Sequence, residues 1–148
     1  MKIGIVLLPG MRTFEVSAVL EVFNGGTPEG MPCPHEIRLM APASGRLSLE
    51  YGFEVEVESL RDADLVDVLV IPGVVNVERL LAEIDAGQHD EVIDVISRAH
   101  LRGAQVVSLC TGVFLVAASG ILDHRDATTH WYSIDQLVRR RSAVRVRP

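Results

Sequence analysis

Gln105-Val-Val-Ser-Leu-Cys110-Thr-Gly112-Val-Phe-Leu-Val-Ala-Ala-Ser-Gly120 changes its hydrophobic pattern at the cysteine. Up to Leu109 the run is short and apolar, as in a buried strand, and from Val113 it reads as a helix ended by Gly120. Strand, sharp turn and helix with a thiol at the corner make a nucleophile elbow, which lifts a side chain clear of the end of a sheet. Such a turn needs small neighbours, and Ser108 and Gly112 stand on either side of Cys110. The next helix would aim its free N–H groups at the sulfur, so the position predicts a thiol that ionises readily. The alternative is a small buried hydrophobe, the ordinary role of a lone cysteine.

Outward from the elbow, Lys2 to Leu8 and Asp67 to Ile71 are apolar runs of the same kind, ended by Pro9-Gly10 and Pro72-Gly73. His35 to Ala41 alternates as a further strand. Leu47 to Glu50 and Phe53 to Glu58 alternate around Tyr51-Gly52, which predicts a small solvent-facing hairpin. Helical spacing runs from Phe14 to Phe23, Val77 to Ile84, Asp90 to Leu101 with Asp90 as cap, and Ser133 to Arg140. Asn24 to Pro34, with three glycines and three prolines, reads as a loop, and Ala127 to Trp131 as an extended piece. Continuous apolar strands between helices predict an α/β fold, a doubly wound and mostly parallel sheet of flavodoxin-like type with helices on both faces. Ligands of such sheets gather beyond the carboxyl ends of the strands, where both Pro-Gly turns and Cys110 fall.

At 148 residues, with 48% apolar and 23% charged residues, the composition fits one globular domain over residues 1–148. No segment has the length of a membrane span and the start lacks a signal-peptide pattern, so a cytoplasmic location with free Cys33 and Cys110 is expected. The cysteines and histidines show no zinc spacing. Gly25-Gly26 lacks the spacing of a phosphate loop, so neither a metal nor a cofactor is expected. Net charge is −6, although Arg139, Arg140, Arg141, Arg145 and Arg147 crowd the last ten residues without an acid. The acidic body argues against nucleic-acid binding by this domain, and the arginines read as a solvated helix end.

Three residues could work with Cys110. Glu15, just past the first strand, could share a proton with the thiol, or could simply complement the dipole of its own helix. His130 follows two threonines at a chain reversal that could return it over the elbow. The backbone N–H groups of Thr111 and of the Gly73-Val74 turn are the available oxyanion donors. Trp131 is expected in the core or as a pocket wall.

Ile3-Gly-Ile-Val-Leu-Leu-Pro9-Gly10, Phe14-Glu15-Val, Val70-Ile-Pro72-Gly73, Ser108-Leu-Cys110-Thr-Gly112, and Gly120-Ile-Leu-Asp123 through Ala127-Thr-Thr-His130-Trp131 together resemble the ThiJ/PfpI superfamily, relatives of class I glutamine amidotransferases. The branch they resemble includes isonitrile hydratases and the sensor domains of AraC-type transcriptional regulators. The resemblance implies that Cys110 is the elbow cysteine and Glu15 its acidic partner, and that the protein is a homodimer. Thr111 stands where peptidase-like members carry histidine, so protease activity is not expected. Val74 replaces a second glycine of many relatives. Family domains continue past the point matching Pro148 through further strand structure and a closing helix. The chain is therefore expected to be incomplete at its C-terminal side and to hold no helix-turn-helix segment. The leading expectation is a sensor domain that binds a small molecule near Cys110, with residues Gly73, Val74 and His130 at the binding site. The alternatives are a cysteine-dependent hydratase using Cys110, Glu15 and Thr111, and a redox or stress protein whose elbow thiol is oxidised.

Overall fold

Ile3, Ile5 and Val6 are completely buried because their strand, β1 (Lys2–Val6), runs through the interior of the sheet. The computed structural model describes residues 1–24 and 31–147. After β1 come α1 (Thr13–Asn24), β2 (Glu36–Ala41), the hairpin strands β3 (Gly45–Ser48) and β4 (Glu54–Ser59), and β5 (Val68–Ile71). Helices α2 (Val77–Asp85) and α3 (Asp90–Leu101) precede β6 (Gln105–Ser108), α4 (Val113–Ala118), β7 (Asp126–Ala127), α5 (Ile134–Arg140) and β8 (Arg145–Val146).

The main sheet has the order β3-β4-β2-β1-β5-β6, and only the β3–β4 pair is antiparallel. The expected doubly wound α/β architecture is present, and it puts the carboxyl ends of β1, β5 and β6 side by side. β7 and β8 form a separate parallel pair. The hairpin extends the sheet, because β4 joins β2 through Met40–Glu58 and Ala41–Ser59. Part of the loop expected at Asn24 to Pro34, residues 25–30, lies outside the described residues.

Local differences from the sequence reading have plain causes. Asp90 is the first residue of α3 and not its cap; the cap position falls on His89, which caps nothing because its ring turns to Glu83 at 2.9 Å. Asn76 caps α2 instead, its Oδ1 accepting the Arg79 N–H at 2.9 Å. Phe14 fits the apolar spacing of α1, yet it is 81% exposed while Val16 and Val19 are buried. The C-terminal arginines are mostly paired: Arg140 grips Asp85 with two nitrogens, Arg141 grips Asp123 likewise, and Arg145 and Arg147 share Asp126. These pairs tie the end of the chain to the body and neutralise most of the basic cluster.

One face of the sheet is thinly covered beside β6, which ends the strand order. Ala18, Val19, Val22 and Phe23 of α1 form, with Val70, Val107 and Leu109, an open and wholly apolar groove.

Candidate functional site

Geometry at Cys110 is that of the expected elbow. Leu109 continues the ladder by donating to Ile71 at 3.0 Å, and the chain then reverses with Cys110 at φ 48°. A non-glycine residue in the left-handed region is held there by its surroundings and is common at functional turns. The turn closes as the Gly112 N–H donates to the Leu109 carbonyl at 2.8 Å. Gly112 is required by close approach, since a Cβ there would overlap the Ile71 carbonyl oxygen and come within 2.6 Å of that of Pro72. Cys110 to Gly112 form one tight helical turn, and α4 begins only at Val113.

Glu15 meets the thiol from the first turn of α1. The Gly73 N–H donates to Glu15 Oε2 at 2.6 Å, and the carboxyl stands near enough to the Cys110 thiol to act on its charge. Glu15 thereby joins the first turn of α1 to the turn after β5. Gly73 makes it sterically possible, because a Cβ at Gly73 would stand 3.0 Å from both carboxyl oxygens and 2.9 Å from Thr111 Oγ1.

Electrostatics overturn the expected ready ionisation. Burial pushes the Cys110 thiol above its ordinary value of 9.0, and the neighbouring Glu15 pushes it further the same way. The Thr111 N–H and the Arg12 guanidinium act in the opposite direction without prevailing. The elbow therefore supplies one amide to the sulfur, against partial burial and a carboxylate.

Two of the expected oxyanion donors, the Gly73 and Val74 amides, are already engaged. Thr111, 4% exposed, accepts the Val74 N–H at 2.9 Å and donates its hydroxyl to the Val74 carbonyl at 2.9 Å. Its hydroxyl is thus a clasp on the Val74 peptide, and the Gly73 amide is held by Glu15.

An open cleft of about 630 Å³ lies over the elbow, with Cys110, Thr111, Val74 and His130 in its wall. Gly73 and Glu15 stand behind the thiol and outside that wall. The chain reversal does bring the His130 segment back: Thr129 Oγ1 donates to the Cys110 carbonyl at 3.0 Å. His130 Nδ1 accepts the Tyr132 N–H at 3.3 Å, and its ring lies 5.4 Å from that of Trp131. Trp131 is a rim residue, 75% exposed, and not a core one.

Sequence reasoning gave no role to Arg12 or Thr129, both of which reach the site. The pair of threonines beside His130 was a visible signal for the latter, whereas Arg12 becomes a site residue only through the approach of the β3–β4 hairpin and the Gly73 turn. Its backbone N–H donates to the Gly73 carbonyl at 3.0 Å. Among the described residues no group of three or more His, Cys, Asp or Glu side chains is placed to hold a metal ion. No helix there is long and apolar enough to cross a membrane.

Comparison with known proteins bears on this geometry. Residues 1–145 match the DJ-1/PfpI family. An uncharacterized Streptomyces lividans protein from the cpoL 5' region is 27% identical over 144 residues, covering 94% of each chain. Isonitrile hydratase of Pseudomonas putida is 30% identical over 79 residues, which is 53% of this chain and only 32% of the hydratase. A proposed transcriptional regulator from Vibrio parahaemolyticus superposes with TM-score 0.82 at 20% identity, over 99% of this chain and 75% of the other. An AraC family transcriptional regulator from Pseudomonas putida superposes with TM-score 0.75 at 15% identity, over 99% of this chain and 76% of the other.

Proposed function

The chain belongs to the DJ-1/PfpI family, and on that premise we propose that it is a small-molecule-sensing domain of the kind found in AraC-type transcriptional regulators, with the ligand seated over Cys110. The observation that carries this reading is the engaged state of the elbow. A nucleophilic cysteine needs a thiolate and free donors for the developing negative charge. Here the thiol is held protonated by burial and Glu15, and the Val74 amide is taken by Thr111. What remains is a preformed concave surface with polar groups at its floor and exposed aromatic rings at its rim, which suits recognition. DNA reading is not assigned to this domain, since its net charge is −6 and the arginines near its end are largely paired with aspartates.

A second reading, a hydratase of the isonitrile type, is favoured by one observation, the nearness of the Glu15 carboxyl to the Cys110 thiol. In that chemistry the sulfur would add to the isonitrile carbon while Glu15 passes the thiol proton to the same carbon. Water would then displace the sulfur, giving the formamide and regenerating the thiol. Incubation of the purified protein with a simple alkyl isonitrile separates the two. The sensing reading expects consumption no faster than in buffer; consumption that disappears in Cys110→Ala would make the protein an enzyme.

A further inference from the structure

We propose that Arg12 is the recognition group for a carboxylate on the small molecule that occupies the thiol cleft, an inference that rests on the sensing reading above and assigns its ligand class. Arg12 lines the cleft beside Cys110 and Thr111, directly before α1. Its backbone is fixed by the bond to Gly73, so the base of the side chain is in place before any ligand arrives. Its guanidinium is poorly matched among the described residues: Nε is shut off from solvent without a hydrogen-bond partner, and Nη1 meets only Glu50, at 3.8 Å, so the terminal Nη1–Nη2 edge is left for a ligand. A guanidinium carries five donors, four of them on the two terminal nitrogens, and these lack a close acceptor among the described residues.

Glu50 does not fill that role. Its Oε1 lies 3.8 Å from Arg12 Nη1, beyond hydrogen-bond reach, so it compensates charge without occupying the fork. The contrast with neighbouring arginines is instructive: Arg140 and Arg141 each hold an aspartate with two nitrogens, and Arg79 Nε bonds Glu83 at 2.7 Å. Arg12 keeps its side chain 39% exposed at the cleft instead. A planar carboxylate matches the guanidinium fork with two parallel bonds, which a neutral amide cannot reproduce. Glu15 would not repel such a ligand strongly, since it does not line the cleft and its carboxyl accepts the Gly73 N–H. The other acids of the cleft, Glu78 and Asp135, begin α2 and α5, and Arg139 stands near them on the same wall.

The test is protection of Cys110 from iodoacetamide, followed by mass spectrometry, with butyrate against butyramide and benzoate against benzamide as matched probes. Protection is taken as the rate ratio with and without probe inside each variant, which cancels any change in the thiol's own reactivity. Each acid is expected to bind about tenfold or more tightly than its amide. Arg12→Gln should abolish that preference, and Arg12→Lys, which keeps charge but not the fork, should restore part of it. Equal protection by acid and amide in the wild-type protein would overturn the proposal while leaving the sensing reading in place. So would an acid preference that survives Arg12→Gln, because Arg12 would then serve only as counter-ion to Glu50. Protection by none of the four would remove the carboxylate assignment altogether. The acid–amide contrast in the wild-type protein decides the matter even if Arg12→Gln folds poorly.

Discussion

Thr111→Val is nearly isosteric and removes both halves of the clasp on Val74 at once. Thr111 Oγ1 stands 2.9 Å from the Val74 nitrogen and 2.9 Å from its carbonyl oxygen, and the two residues are 4% and 7% exposed. The substitution leaves a peptide N–H and a C=O without their partner in a largely dry setting. Each such orphan costs about 1–3 kcal/mol. Val74 borders the cleft, so water can relieve part of this, and the net loss is expected near the lower end, about 2–3 kcal/mol. For a chain of this size that corresponds to a fall in Tm of about 4–12 °C. Urea unfolding at constant m value is the assay, with Thr111→Ser as control. Serine keeps the hydroxyl and gives up one methyl group, so it should cost only about 1 kcal/mol. If the valine variant is as stable as the serine variant, the clasp contributes nothing and Thr111 is free for another role.

Three further outcomes follow from the same geometry. Glu15→Gln removes the charge that raises the Cys110 thiol, so the pH midpoint of Cys110 alkylation should move down; an unmoved midpoint would mean that the carboxyl does not act on the sulfur. Glu83 titrates below its ordinary 4.5 because Arg79, and after it His89, stabilise the carboxylate, so its contribution is present above about pH 4.5 and lost as pH falls through the lower folded value. Stability in that acid window should therefore fall less steeply in Glu83→Gln than in the wild-type protein. The apolar groove between α1 and the end strand β6, with Val22 76% exposed, should drive self-association seen by light scattering at rising concentration, and Val22→Glu should reverse it; a concentration-independent wild-type monomer would show that the groove tolerates water.

Much of the scaffold could be read from the chain because β1, β5 and β6 are short apolar runs that lead directly into turns. Pro9-Gly10, Pro72-Gly73 and Gly112 mark the places where the backbone must reverse or approach closely, and they fall at the site. The pairing of Glu15 with Cys110 was legible as one of two alternatives, since parallel β1 and β5 bring those turns together. What the chain does not reveal is how each polar group is shared. Whether the Val74 amide faces a ligand or a neighbouring hydroxyl depends on the Thr111 rotamer, which no spacing encodes. The thiol's acidity had the same character: the dipole of the following helix argued one way, and partial burial beside Glu15, which only the assembled fold produces, argued the other and prevailed. Arg12 was invisible because its importance comes from what surrounds it.

The account turns on the protonation state of one sulfur. A pH titration of thiolate ultraviolet absorbance, taken as the difference between the wild-type protein and Cys110→Ala, measures that state without any reagent. The predicted midpoint for Cys110 lies above the ordinary cysteine value of 9.0, with the thiol neutral at physiological pH. A midpoint well below the ordinary value, with the thiolate already formed at neutral pH, would contradict the account and make Cys110 an activated nucleophile.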